Sequence, residues 1–324
     1  RFLVKSKKEN ENIIDLNLSD FFGNSPKTIL KDIKQKVNYT DLVYKESLIE
    51  EYLEKVLNLE SVACKDWLTN KVDRCVTGKV ALQQCTGPLQ IPLNNCGVMA
   101  LDFNSMEGIA TSIGHSPLTS LIDPTCGSRN SIGEALTNLI WCPLKNELKS
   151  VSLSANWMWP ANNEGENSRL YDAVKACSDF CIELGINVPT GKDSMSMKQK
   201  YPREEVVSPG TVIISATAHS DNFRKTVEPY LKEKNSNLYY INMSSCEYKL
   251  GGSALFQSNN KVGKKCNDIK STKYFKKIFD SIQIAIKKDL IYSGHDISSG
   301  GLITCLLEMC FVSDDLGLNV NLSN

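Results

Sequence analysis

What the 324-residue chain lacks narrows its chemistry. It has three histidines, His115, His219 and His295, too few for a histidine-rich zinc site. Its 37 basic residues are matched by 37 acidic ones, so there is no polyanion-attracting field; the balance argues against nucleic acid and an anionic membrane surface as partners. No apolar run reaches the roughly 18 residues of a membrane span, and nothing near the N-terminus reads as a signal peptide. The twelve cysteines include no C-x-x-C pair, a pattern of buried thiols in a reducing, cytoplasmic compartment rather than of a disulfide framework. A G-x-S-x-G elbow and a Walker A loop are both absent, and with so few histidines no acyl-transfer triad is expected.

What is present reads as a soluble globular protein, 41% apolar and 23% charged. At about 100 to 200 residues per domain, the length suits two domains and part of a third. The chain starts at Arg1 and stops after a strand-like Leu318-Asn-Val320, so it is expected to be part of something longer.

The polar start ends in Ile13-Ile-Asp-Leu-Asn-Leu18, whose alternation suits an edge strand. From 45 to 59 the apolar residues Leu48, Ile49, Tyr52, Leu53, Val56 and Leu57 form one helical stripe, a connector into a new domain. Charge then thins out. The runs 95–103 and 211–218 read as strands. Between them, Ser131-Ile-Gly-Glu134 matches a capping box opening a helix to about Trp141, and a second helix from Ser168 reaches Gly185 as a left-handed C-terminal residue. The charged stretch 221–237 reads as a linker or surface helix. A second α/β unit follows, with strands at 238–243 and 290–293, a helix at 273–288 and another opening at Leu302.

Four places concentrate polar groups. Glu134 and Asn138, four apart on a helix, present two oxygens on one face and could share Mg²⁺, although Glu134 equally serves as the capping-box residue. His295-Asp-Ile-Ser-Ser-Gly-Gly301 places an acid, two serines and a glycine pair before a helix, which suits a phosphate and its metal or, equally, a serine cap with Asp296 turned to solvent. Gly191-Lys-Asp-Ser-Met-Ser-Met197 could hold an anion through Lys192 and Ser194, or be a surface turn. Ser154-Ala-Asn-Trp-Met-Trp-Pro160 reads as core packing, since no basic residues interleave its aromatics.

These words, with Asp73-Arg-Cys-Val-Thr-Gly78, Gln83-Gln-Cys-Thr-Gly-Pro88 and Leu170-Tyr-Asp-Ala-Val-Lys175, occur in an order that closely resembles the large, single-chain phosphoribosylformylglycinamidine synthases. The resemblance implies an α/β (α+β) architecture: an aminoimidazole-ribonucleotide-synthetase-like nucleotide-binding domain followed by part of its companion α/β domain. It implies that 1–45 is the tail of a preceding companion domain, 46–59 a connecting helix, 60–220 the second nucleotide-binding domain, 221–236 a linker and 237–324 the start of the second companion domain. The implied activity is an ATP-dependent C–N ligase of purine biosynthesis, acting on formylglycinamide ribonucleotide with ATP and glutamine. This chain would carry the second, structural nucleotide site and be inactive alone, packing against a first synthetase half and a glutaminase domain. A non-catalytic nucleotide-binding scaffold and a stand-alone ATP enzyme of the aminoimidazole-ribonucleotide-synthetase type are the rival readings.

By the same resemblance the Mg²⁺ ligands fall on Asn95, Glu134, Asn138 and Asp296, and contacts to ATP or ADP on Asn94 and Ser298. Lys65, in Val62-Ala-Cys-Lys-Asp-Trp-Leu68, would reach the catalytic ATP across the interface with the first half, or simply be solvated. Two residues depart from the family pattern. Asn95 and Ser299 each stand where it has Asp, which predicts weaker Mg²⁺–polyphosphate binding because hard-ion affinity follows ligand charge.

Overall fold

The computed structural model describes residues 1–24, 27, 29–69, 78–312 and 315–322. The Asp73–Thr77 part of one family word lies outside them. Two compact units are present, Arg1–Asp32 and Ile33–Asn324. The first holds an antiparallel hairpin of β1 (Phe2–Lys5) and β2 (Asn12–Leu16) with a short helix α1 (Leu18–Phe22). The strand foreseen at 13–18 is thus β2, cut short where Asn17 caps α1.

In the second unit the elements run α2 (Ile49–Leu57), α3 (Asp66–Thr69), β3 (Val80–Leu82), β4 (Gly97–Ala100), β5 (Gly108–His115), α4 (Pro117–Ile122), α5 (Pro124–Leu139), β6 (Ser152–Met158) and α6 (Glu166–Leu184). After them come β7 (Asn187–Ser194), β8 (Lys198–Lys200), β9 (Glu205–Val207), β10 (Thr211–Ser220), α7 (Ala254–Gln257), α8 (Thr272–Lys287) and α9 (Gly301–Phe311). Six strands form a mixed sheet in the order β3-β4-β5-β10-β6-β7, antiparallel except for the β6–β7 pair. Strands β8 and β9 form a separate hairpin.

The central strands follow from period-two alternation. On β10, Val212, Ile214, Ala216 and Ala218 are buried while Ser215, Thr217 and His219 face out. Helices α5 and α6 cover the buried face, with Ile132, Ala135, Leu136 and Leu139 of α5 inside the core. Gly114 on β5 is where the layers touch most closely. A Cβ there would lie 2.2 Å from the Ser131 carbonyl oxygen and 2.3 Å from the Ala135 nitrogen, so only glycine lets α5 lie this near the strand.

Helix α5 begins seven residues earlier than the capping-box pattern predicts. Its N-cap is Asp123, whose carboxylate accepts from the Thr125 and Cys126 N–H groups, with Pro124 at the first helical position. Ser131 sits inside the helix, buried, and donates to the Gly127 carbonyl at 2.9 Å. Glu134 is therefore not a capping residue. Helix α6 matches its prediction, ending on Gly185 at φ 76°.

Three other expectations are corrected. Residues 238–243 have strand composition but no strand partner among the described residues, and they lie in irregular chain; 290–293 likewise form no strand. Of the two readings of 221–237, the surface helix is the one corrected: the stretch forms one 3₁₀ turn, Phe223–Lys225, and otherwise irregular chain pinned to the core by Val227 N–H to the Trp141 carbonyl. Gly191–Ser194 is the end of β7, paired with β6, rather than a turn.

The C-terminal part docks through α8. Ser271 caps it, and Phe275, Phe279, Ile282 and Ile286 make one buried stripe in the same core as α5 and α6, with Phe275 edge-on to Phe180. Within that stripe Gln283 is fully buried. Its amide donates to the Ile140 and Cys142 carbonyls and accepts from the Leu144 N–H, satisfying the chain just beyond the C-terminal end of α5.

Candidate functional site

The end of β5, the middle of α5, the 83–96 loop and the loop before α9 meet around Glu134 and Asp296. Glu134 faces β5 because Gly114 brings α5 against that strand. One Glu134 carboxylate oxygen accepts the His115 backbone N–H at 3.0 Å, and the other accepts the Ser298 hydroxyl at 2.6 Å. Asn138, one turn on, donates its amide to the Ile113 carbonyl at 3.3 Å, so its carbonyl oxygen is the group it can offer a ligand.

The loop 294–300 enters α9 through Gly300, whose φ of 97° only glycine adopts without strain. Asp296 within it is buried, its side chain 5% exposed, which overturns the alternative of a solvent-facing acid beside a serine cap. Its Oδ2 is buried and has no hydrogen-bond partner among the described residues. Burial pushes the Asp296 carboxyl up to about 6; the nearby charges of Glu134 and Glu308 push the same way, while His295 opposes them.

Two asparagines close the site from the 83–96 loop. Asn94 donates to the Gln83 and Cys85 carbonyls at 2.7 and 3.0 Å, which fixes its amide, and its Oδ1 is buried without a partner among the described residues. Asn95 donates to the Gly294 carbonyl at 3.1 Å, and its oxygen faces His295 Nδ1 at 2.6 Å. His295 Nε2 meets Glu308 of α9 at 2.9 Å.

Five of the predicted residues, Asn95, Glu134, Asn138, Asp296 and Ser298, thus lie in or next to one contact network, with Asn94 beside Asn95. Lys65 is not joined to it: its ammonium turns back onto the Ala63 carbonyl at 2.9 Å. Lys192 sits on β7 and donates to Ser194 Oγ at 2.8 Å, away from these contacts. Trp157 and Trp159 pack against each other, and the buried Trp159 donates to the Glu166 carbonyl, so the aromatic run is core. Two contributors had no local sequence signal: His115, which acts through its backbone, and Glu308, thirteen residues beyond its partner.

The donor set fits a hard divalent cation in part. The buried Asp296 carboxylate lies within reach of the charge of the half-buried Glu134, and an unpartnered carboxylate oxygen is costly to bury unless something positive meets it. Among the described residues no group of three or more His, Cys, Asp or Glu is placed to hold a metal. A cation here would therefore draw on Asp296, Glu134, an amide oxygen and oxygens brought by a ligand, the pattern Mg²⁺ favours with phosphates. The Asn95 oxygen is already engaged by His295. The site opens on a cleft of about 2580 Å³ between α5 and the C-terminal helices, lined by His115, Glu134, Asp296 and Ser298.

Residues 64–219 match the family described as "FGAR-AT PurM_N-like domain", and 244–324 match "AIR synthase related protein, C-terminal domain". The fold is accordingly of the aminoimidazole-ribonucleotide-synthetase type, a sheet domain followed by its C-terminal partner. The chain is 41% identical over 317 residues to "Probable phosphoribosylformylglycinamidine synthase, chloroplastic/mitochondrial" of Arabidopsis thaliana, covering 96% of this chain and 22% of that protein. It is 43% identical over 275 residues to the human "Phosphoribosylformylglycinamidine synthase", covering 84% of this chain and 20% of that one. Thermotoga maritima PurL shares the fold at 12% identity. Its complex with FGAR aligns over 90% of this chain and 40% of that one with a TM-score of 0.53, and its complex with ADP over 90% and 38% with 0.50. This chain belongs to the phosphoribosylformylglycinamidine synthase family and spans about a fifth of the length of the curated relatives it matches.

Proposed function

We propose that this chain carries a Mg²⁺–nucleotide site of an ATP-dependent C–N ligase of purine biosynthesis, one that makes formylglycinamidine ribonucleotide from formylglycinamide ribonucleotide, ATP and glutamine. The unpartnered Oδ2 of Asp296, buried beside Glu134, is the observation that carries the site. Asp296, Glu134 and Asn138 would hold the cation, while Asn94 and Ser298 would meet the nucleotide. A bound Mg²⁺ would neutralise the paired carboxylates and the phosphates they face. The names of the relatives, and the FGAR and ADP of the Thermotoga complexes, support the substrate and nucleotide classes.

In this reading 60–220 is the second nucleotide-binding domain and 237–324 the start of its companion. Residues 1–45 belong to the preceding companion domain, 46–59 is the connecting helix and 221–236 the linker. The site is structural rather than catalytic, and the chain is inactive alone; what supports this is Lys65, whose ammonium bonds to the Ala63 carbonyl. Reaching the catalytic ATP from Lys65 would require the first synthetase half. The compartment in this reading is the cytoplasm, the family's Arabidopsis member being named for organelles instead.

Calorimetric titration of ADP with and without Mg²⁺ tests the site. Mg²⁺-dependent binding should fall at least about tenfold in Glu134→Gln, in keeping with the dependence of hard-ion affinity on ligand charge. Binding that ignores Mg²⁺, or equal affinities in the two proteins, would sink the reading.

A further inference from the structure

Asn95 is the residue whose surroundings fit its expected role least. Its amide nitrogen is used on the Gly294 carbonyl at 3.1 Å. That bond fixes the amide orientation, because the reversed amide would set its oxygen against the carbonyl oxygen. The Asn95 oxygen must then face His295 Nδ1, 2.6 Å away. At the other end of the ring a carboxylate, which only accepts, lies 2.9 Å from Nε2. Both ring nitrogens of His295 are therefore engaged, and the ring is held from two elements at once, the 83–96 loop and helix α9.

The held ring is 8% exposed and immediately precedes Asp296. The same loop is tied at two more points: Gly294 N–H donates to the Glu228 carbonyl at 3.1 Å, and Ser298 to Glu134. With its neighbours fixed this way, the Asp296 carboxylate is kept buried with one oxygen unspent.

We propose that Asn95, His295 and Glu308 form a clamp that positions the Asp296 loop, and that Asn95 serves the cation site through His295 rather than as a ligand. The proposal rests on the reading of Asp296 as a cation ligand. Asn95 is then a positioning residue, and the amide in place of the family's Asp keeps the oxygen that His295 needs while adding a donor for Gly294.

The test uses the complete protein and Mn²⁺ as the probe, with binding followed by electron paramagnetic resonance; the site in question is the one that Asp296→Asn removes. Glu308→Leu should weaken that site about 10- to 100-fold, the range for outer partners of metal ligands, and Glu308→Gln, which keeps an acceptor at Nε2, should stay within about threefold. Asn95→Ala should add clearly less in the Glu308→Leu background than it costs alone, because both grip one ring while the Gly294 bond is Asn95's own. Additive losses would make Asn95 an independent ligand and overturn the clamp, as would full affinity in Glu308→Leu. If Asp296→Asn removes no Mn²⁺ site, the underlying reading falls and the clamp with it; if it removes one and the cycle is additive, the clamp alone falls. A second measurement needs no Glu308 variant: amide exchange across 296–300 should accelerate at least about tenfold in Asn95→Ala, as local opening of an untied loop requires, and unchanged exchange would also overturn the proposal.

Discussion

Asp296→Asn isolates the cost of burying the unpartnered carboxylate. Burial, with Glu134 and Glu308 nearby, raises the Asp296 carboxyl from 3.8 to about 6. The folded protein therefore holds this proton more tightly than the unfolded chain does. Its stabilising contribution is full below the unfolded value and is lost as pH rises through the window from 3.8 to about 6. A shift of about 2 units amounts to roughly 3 kcal/mol when both states are compared fully ionised. Asparagine keeps the shape without the charge. The cost of burying its amide does not depend on pH, so the difference between two pH values is what carries the information. In metal-free buffer, the stability of Asp296→Asn relative to the unsubstituted protein should improve by about 2 kcal/mol between about pH 4.5 and about pH 7.5. Urea unfolding followed by tryptophan fluorescence reads it, with each cooperative phase fitted separately. Adding Mg²⁺ at about pH 7.5 should stabilise the unsubstituted protein and leave the variant unmoved, since only a folded-state ligand shifts the equilibrium. A relative stability that is flat with pH would refute the buried, charge-crowded carboxylate and with it the physical basis of the cation site.

Two further substitutions probe the frame that holds the site. Gln283→Leu leaves the Leu144 N–H and the Ile140 and Cys142 carbonyls unpaired in a fully buried position, and should lower unfolding stability by about 3 to 5 kcal/mol; a loss under about 1 kcal/mol would show that water or a shifted helix replaces the amide. Gly114→Ala drives a methyl into the Ser131 and Ala135 backbone, and should cost about 2 to 3 kcal/mol in urea unfolding. By lifting α5 from β5 it should also break the His115 to Glu134 bond and weaken Mg²⁺-dependent ADP binding in the same calorimetric assay; unaltered binding would mean that the close approach does not place Glu134.

How far such a site is legible in sequence depends on whether its contacts leave a periodic trace. Helix α6 is legible because Leu170, Ala173, Cys177, Cys181 and Leu184 recur on one face and Gly185 closes it, although Val174, expected on that face, is exposed and Phe180 is buried there instead. The start of α5 is not. Its first two turns read Pro-Thr-Cys-Gly-Ser-Arg-Asn, and Gly127 and Ser128 are buried by packing small atoms close to neighbouring backbone rather than by an apolar stripe. Ser131 carries the more familiar capping word, but its hydroxyl bonds backward to Gly127 instead of capping anything. Residues 238–243 failed for the opposite reason. Their composition is right for a strand, but a strand exists only through a partner, and none of the described residues supplies one. Gln283 is a third kind of miss, since one polar residue on an apolar stripe looks like noise until the carbonyls it satisfies are seen.

The site divides along the same line. Glu134, Asn138, Asp296 and Ser298 stand in short words whose order was recognisable, so their proximity could be foreseen from family resemblance. By identity alone, Asn95 is an amide in an acid's place that must weaken the same bond to the same ion. The structure shows a different neighbour: a histidine 200 positions away takes the oxygen, and that histidine is in turn gripped by Glu308. A missing charge changes affinity directly only when the side chain touches the ion; when it grips a ring that orders the ligand loop, geometry carries the effect. These two routes have different dependences. A direct ligand's loss is insensitive to Glu308, whereas a clamp's loss shrinks once Glu308 is gone. Whether the neutral Asn95 leaves this site weak therefore turns on a contact no linear motif contains, and the coupling between Asn95 and Glu308 is the quantity that decides it.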